Sequence, residues 1–148
     1  MNLTLEWSKP AELFAVSLGY EIDLHKVVAL PGIYVFERRH GDRFEALYVG
    51  KATNLLSRVK TQLNNLRLMQ HLKGAKSGRR LLLPAVFRPR PGQQLDNCLP
   101  LVERALIRRF LAQGDDLVNV QGTRLRRHEI RSRSRPGWVV PEVVFLEK

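Results

Sequence analysis

One cysteine, Cys98, occurs in 148 residues, so no disulfide can close within the chain. A chain this poor in cysteine suits a reducing compartment. No Cys/His cluster with zinc-ligand spacing is present. No apolar run approaches the ~20 residues that span a bilayer. The N-terminal residues MNLTLEWSKP lack the basic start and apolar core of a secretion signal, so a cytoplasmic protein is expected. Aromatic residues make up 7% of the chain, which leaves no clear platform for stacking single-stranded bases. There is no phosphate-binding Gly-rich loop ending in Lys-Ser or Lys-Thr. His71-Leu72-Lys73 begins a His-x-Lys-x4-Asp pattern, but Gly78 stands where the carboxylate should be. Carboxylates are also scarce in the middle of the chain. Between Ala46 and Gly114 only Asp96 and Glu103 oppose thirteen Lys and Arg residues. That scarcity argues against a two-metal centre, which needs more oxygen ligands.

What the chain has in excess is positive charge. Twenty-five Lys and Arg against fourteen Asp and Glu leave a net +11. Residues 1–37 carry two basic and five acidic residues, and the remainder carries twenty-three and nine. A field of this sign attracts polyanions, so nucleic acid, DNA first, is the expected partner. An anionic membrane would call for a basic amphipathic helix with a strong apolar face, and none is evident. Lys73, Lys76, Arg79 and Arg80 form one candidate nucleic-acid-binding stripe. Arg124, Arg126, Arg127, Arg131, Arg133 and Arg135 form another, unless that segment is merely a solvated connector. Such contacts hold a phosphate backbone without reading sequence. Nothing in the sequence indicates a protein partner or an oligomer.

The length suits one domain over residues 1–148. Residues 2–7 alternate and predict a strand. Ser8 could cap a helix over Pro10–Leu18 that Gly19 would end. Residues 32–37 and 44–49 predict a hairpin turning around Gly41. Thr53 or Asn54 can cap a helix over 55–72, whose Leu55, Leu56, Val59, Leu63, Leu66 and Met69 keep the spacing of one buried face. Residues 74–80 read as a basic loop, and Leu81–Phe87 as a strand that Pro84 assigns to an edge or a bulge. A helix from Asp96 or Asn97 to about Ala112 precedes a break at Gly114. Residues 122–137 read as an Arg-rich connector and Val139–Leu146 as a last strand. The fold class expected is α/β of the α+β kind: a small, mainly antiparallel sheet flanked by helices.

A turn symmetric about Gly41 would set Tyr34 opposite Tyr48, with their Cβ atoms roughly 4.5–5.5 Å apart. The plain alternative is a pair of core tyrosines. Gly50 permits a sharp exit from the strand, so that Lys51 precedes a helix N-terminus where anions are favoured. Arg58 lies one turn into that helix and offers a planar fork for a phosphate. A solvated basic helix face is the alternative for both. Glu103 interrupts an apolar stripe of Leu99, Val102, Leu106 and Ile107. A carboxylate there needs a partner, either a cation such as Mg²⁺ holding its own waters or a buried arginine.

Gly32-Ile33-Tyr34, Tyr48-Val49-Gly50, Lys51, Arg58, Glu103 and Asn119, in this order, resemble the GIY-YIG nuclease superfamily over roughly residues 30–121. The Lys-to-Arg spacing is similar to that in the N-terminal catalytic domain of the bacterial excision-repair incision subunit. The resemblance implies a GIY-YIG-like core with extra N- and C-terminal strands, and a metal-dependent endonuclease that hydrolyses DNA phosphodiesters. It implies that Glu103 holds one Mg²⁺ or Mn²⁺ and that Arg58 stabilises the phosphorane charge. Tyr48 then takes the proton of the attacking water, Lys51 assists it, Tyr34 orients the water or shares that role, and Asn119 supports the site. The thirteen residues between Tyr34 and Tyr48 imply an enlarged hairpin turn. His71 stands where some homing-type members carry a histidine. A binding module of the same fold that no longer cleaves is the alternative from another class.

Overall fold

The hairpin around Gly41 is the axis of the molecule. Strand β1 (Asn2–Trp7) is followed by β2 (Ala11–Ala15) and β3 (Tyr20–Ile22), and then by the hairpin strands β4 (Gly32–His40) and β5 (Arg43–Ala52). Helices α1 (Leu55–Gln62) and α2 (Leu66–Gly74) lead to β6 (Arg79–Phe87), and α3 (Leu95–Ala112) leads to β7 (His128–Arg133) and β8 (Val143–Leu146). The computed structural model describes residues 1–118, 128–133 and 143–146. The strands form an open, mostly antiparallel sheet in which, among the described residues, only β1 and β7 run parallel. The architecture is α+β, as the sequence pattern implied. Among the described residues no helix is long and apolar enough to cross a membrane.

Successive strand residues point to opposite faces, and each face has its own cover. Ile33 and Val35 of β4 join Leu3, Leu5 and Trp7 in a core closed by Val102, Leu106 and Phe110 of α3. Tyr34 and Phe36, the residues between, join Leu55, Val59, Leu68 and Leu72 of α1 and α2. Gly32 is needed where β4 crosses β6, because a Cβ there would collide with the Ala85 carbonyl oxygen.

Five local expectations are corrected. The segment expected as a helix over Pro10–Leu18 holds strand β2. Ala11 and Leu13 are buried while Glu12 between them is not, and Ala11 pairs with Leu82. Tertiary pairing outweighs the weak local preference for helix. The helix expected over 55–72 is two helices, broken where Asn65 caps α2 by accepting from Leu68 N. The break resets the helical phase, so Leu66 is 59% exposed instead of joining the buried stripe. The basic loop ends at Gly78, and Arg79 and Arg80 already belong to β6. Strand β6 is central, pairing β4 on one edge and β1 and β2 on the other. Pro84 is tolerated there because its carbonyl accepts from Ser8 N, between the stretches paired to β2 and to β1. The N–H that proline lacks would face that same gap in the ladder. Within the expected connector, His128–Arg133 are a strand beside β1, and the described part of the last strand pairs with it.

Candidate active site

The hairpin register decides where the tyrosines meet. The turn is tight, with Gly41 at φ +57° and His40 paired to Arg43. It is not enlarged. The extra length lies in the strands and in a bulge between Phe36 and Glu37, where β5 carries Leu47 as the additional residue. Tyr34 therefore pairs with Gly50, and Tyr48 with Phe36. This differs from the expected Tyr34–Tyr48 pairing by two residues, so both tyrosines keep the same face. They meet diagonally, with ring centroids 5.9 Å apart and planes 29° apart. Gly50 acts by its missing side chain, since a Cβ there would overlap the Tyr34 ring. Its backbone continues the strand to Ala52, so it is not a sharp exit.

Tyr34 is fully buried, and Tyr48 is partly exposed. Burial, and next the neighbouring Tyr48, push the Tyr34 hydroxyl well above the usual phenol range, while Gln62 and Arg58 oppose the shift. Tyr34 thus stays protonated at any physiological pH. Gln62, a residue the sequence did not single out, donates from Nε2 to the Tyr34 oxygen at 2.7 Å and to the Tyr48 oxygen at 3.0 Å. A polar side chain four residues after Arg58, on the same helix face as buried Leu55 and Val59, was the available signal.

Lys51 at the end of β5 and Glu103 on α3 form an ion pair, Nζ to Oε2 3.3 Å. Glu103 is 14% exposed and Lys51 42%. The partner of Glu103 is the half-exposed site lysine, not a buried arginine. Lys51 also lines a cleft of about 380 Å³ between the start of α1 and the start of α3. Arg58, Asn54, Ser57 and Thr61 line one wall, and Asp96, Leu99 and Pro100 line the other. Asn54, and not Thr53, caps α1 by accepting from Ser57 N. The tyrosines lie beside this cleft rather than in its wall. Arg58 connects the two, being exposed in the cleft and close enough to Tyr34 to act on its charge.

A divalent cation fits this arrangement in one way. Glu103 would hold it, since a carboxylate that accepts from Lys51 keeps further acceptor capacity. Among the described residues no three His, Cys, Asp or Glu side chains converge. Such an ion would keep water at most of its positions, as Mg²⁺ commonly does.

Other expected residues sort differently. Asn119, Arg124, Arg126, Arg127 and Arg135 lie outside the described residues. Arg80 is not a surface contact: it is 7% exposed and donates to the carbonyls of Leu72, Ala75 and Gly78. Arg79 grips Glu12 through two bonds of 3.1 Å. Lys73 donates to the Val16 carbonyl and sits over the Tyr20 ring. Lys76 is exposed, as are Arg131 and Arg133 on β7. His71 Nε2 lies 2.7 Å from the Asp116 carbonyl oxygen and ties α2 to the segment after α3. Asp115 accepts from Ala46 N at the edge of β5, and burial raises its pKa.

Comparison with known proteins returns no matching family model, no matching curated protein and no matching solved structure.

Proposed function

We propose that this chain is a divalent-metal-dependent endonuclease of the GIY-YIG type, acting on DNA in the cytoplasm. The observation that carries the reading is the Lys51–Glu103 ion pair at the mouth of a cleft that also presents Arg58, with the stacked Tyr34–Tyr48 pair alongside. Lys51 of β5 pairs with Glu103 of α3 and shares a cleft lining with Arg58 of α1, which supports the reading.

Each side chain has a task that its surroundings support. Arg58 reaches into the cleft, where its fork can hold a phosphate and meet the charge that develops on phosphorus. Lys51 adds a second cation and orients the Glu103 carboxylate. Glu103 would hold the Mg²⁺ or Mn²⁺, which, when bound, neutralises charge on the scissile phosphate. Burial keeps the Tyr34 proton in place, so proton abstraction from water falls to Tyr48. The open cleft and the net charge of +11 favour a phosphodiester backbone as substrate.

Cleavage of supercoiled plasmid and of matched duplex, branched and single-stranded oligonucleotides, with Mg²⁺ and with EDTA, tests the reading. Metal-dependent nicking that disappears in Glu103→Ala, while DNA binding persists, is the expected result. Binding without cleavage under any metal would leave a binding module instead.

A further inference from the structure

The two phenol oxygens share a single donor, and its direction is set from outside the pair. The backbone N–H of Leu68 can only donate, and it donates to Asn65 Oδ1 at 3.1 Å. That bond turns the other end of the amide, Asn65 Nδ2, toward Gln62 Oε1 at 3.0 Å. With its oxygen engaged, the Gln62 amide presents its nitrogen to both tyrosines. An amide nitrogen carries two hydrogens, one for each phenol. The assignment of oxygen and nitrogen in both amides therefore follows from a main-chain group that cannot reverse. Gln62 itself is buried at 5% exposure, so water does not compete for these bonds.

The consequence falls unequally on the tyrosines. Both oxygens must accept from Gln62, so both hydroxyl protons must point elsewhere. Tyr34 is sealed in the core, and its hydroxyl has Tyr48 as a hydrogen-bonding neighbour. The Tyr48 oxygen then accepts twice, and its own proton is the one directed out of the pair.

Resting on the nuclease reading above, we propose that Gln62 is a positioning residue that assigns the two tyrosines unequal roles. It holds Tyr34 as an internal donor and Tyr48 as the reactive hydroxyl, with its orientation dictated through Asn65 by the N-terminus of α2. Gln62 touches no substrate; it acts through the phenols.

Asn65→Asp isolates the idea. An aspartate keeps the acceptor for Leu68 N, so the cap of α2 survives. It can no longer donate to Gln62, whose amide must flip and turn its oxygen toward the phenols. The full chain, labelled at tyrosine ¹³Cζ in a Tyr20→Phe background, then has two signals to follow. Both are expected to shift in Asn65→Asp and in Gln62→Glu, although residue 65 bonds to neither phenol. Plasmid nicking in Mg²⁺ should show kcat reduced by about 100-fold in Gln62→Glu and about 10-fold in Asn65→Asp, with KM within about 2-fold. Asn65→Gln, which keeps both donor and acceptor on a longer arm, should recover part of that loss. Unmoved tyrosine signals in Asn65→Asp would overturn the relay whether or not the protein cleaves DNA. Shifted signals with wild-type kcat would overturn the positioning role. A wild-type chain that cleaves nothing removes the nuclease reading and the role in catalysis with it, while the signals still decide the relay.

Discussion

Two groups of basic residues look alike in sequence and differ in what the fold does with them. Lys51 and Arg58 line an open cleft beside a carboxylate and two phenols. Arg80 is enclosed by the protein's own carbonyls, while Arg79 and Lys73 engage protein groups at the surface. Arg80 closes the end of α2 by donating to three carbonyls, and Arg79 clamps β2 through Glu12. The difference is burial and geometry, not charge. A buried guanidinium with three of its five donors held by carbonyls is closed to a phosphate. Positive charge counts toward binding only where its donors face solvent.

The comparison can be broken from either side. The largest effect is expected at the cleft: Glu103→Ala should lower cleavage by more than about 10³-fold, with DNA affinity changed less than about 3-fold. Residual cleavage at the wild-type rate would remove Glu103 from the reaction. Arg58→Ala should lower kcat by about 10²–10³-fold, the scale of one preorganised donor. It should also flatten the salt dependence of binding by about 1 in log–log slope. An effect confined to KM would make it a binding residue only. Arg80→Met should do the opposite. It should cost about 3 kcal/mol of stability in urea denaturation, because three carbonyls lose a charged donor, and leave the salt slope unaltered. A changed slope would return Arg80 to the binding surface. Arg79→Ala should be the mildest of these, with no resolvable change in Tm, since its pair with Glu12 is exposed.

A last test concerns a buried carboxylate of β4 that is not part of the cleft lining. Glu37 is 1% exposed; Arg39 donates to its Oε1 at 3.1 Å, its Oε2 has no hydrogen-bond partner among the described residues, and burial, opposed by Arg39, pushes its pKa up to about 8. The folded state therefore holds a proton that the unfolded state releases above the ordinary value of 4.5. Stability should fall as pH rises from about 4.5 to 8, by on the order of 3 kcal/mol at neutrality. Glu37→Gln should abolish that slope and raise Tm at pH 7 but not at pH 4. An unchanged pH profile would mean that Glu37 is ionised in the folded protein.

Much of the scaffold was legible in sequence. The hairpin, the long helix α3 and the break at Gly114 follow from periodicity and from glycine, which are local signals. The common face of Tyr34 and Tyr48 was not legible, because the two-residue turn alone would set Tyr34 opposite Val49, and the bulge at Leu47 restores the parity. The partner of Glu103 was readable only as a requirement, since an apolar stripe demands that its carboxylate be compensated but does not say by which cation. Strand β2 and the central place of β6 were hidden, because pairing between distant segments leaves little trace in either one. Gln62 was hidden for a related reason. Between Lys60 and Asn64 it reads as one more polar residue of a basic helix, and only packing against β4 and β5 buries it between two phenols.

The sequence by itself determined the chemical inventory: two tyrosines on two strands of one hairpin, a lysine and an arginine at a helix start, and one carboxylate in an apolar stripe of an acid-poor stretch. Alternation, helical period and charge are properties of neighbouring residues, so they survive without a fold. Only the tertiary structure decided which cations face a cleft and which are enclosed, that Lys51 meets Glu103, and that one amide faces both phenols. Those outcomes depend on the register of the hairpin and on the break between α1 and α2. The bulge and pairing across the sheet set the first, and the Asn65 cap, a short-range bond whose effect shows only in packing, sets the second.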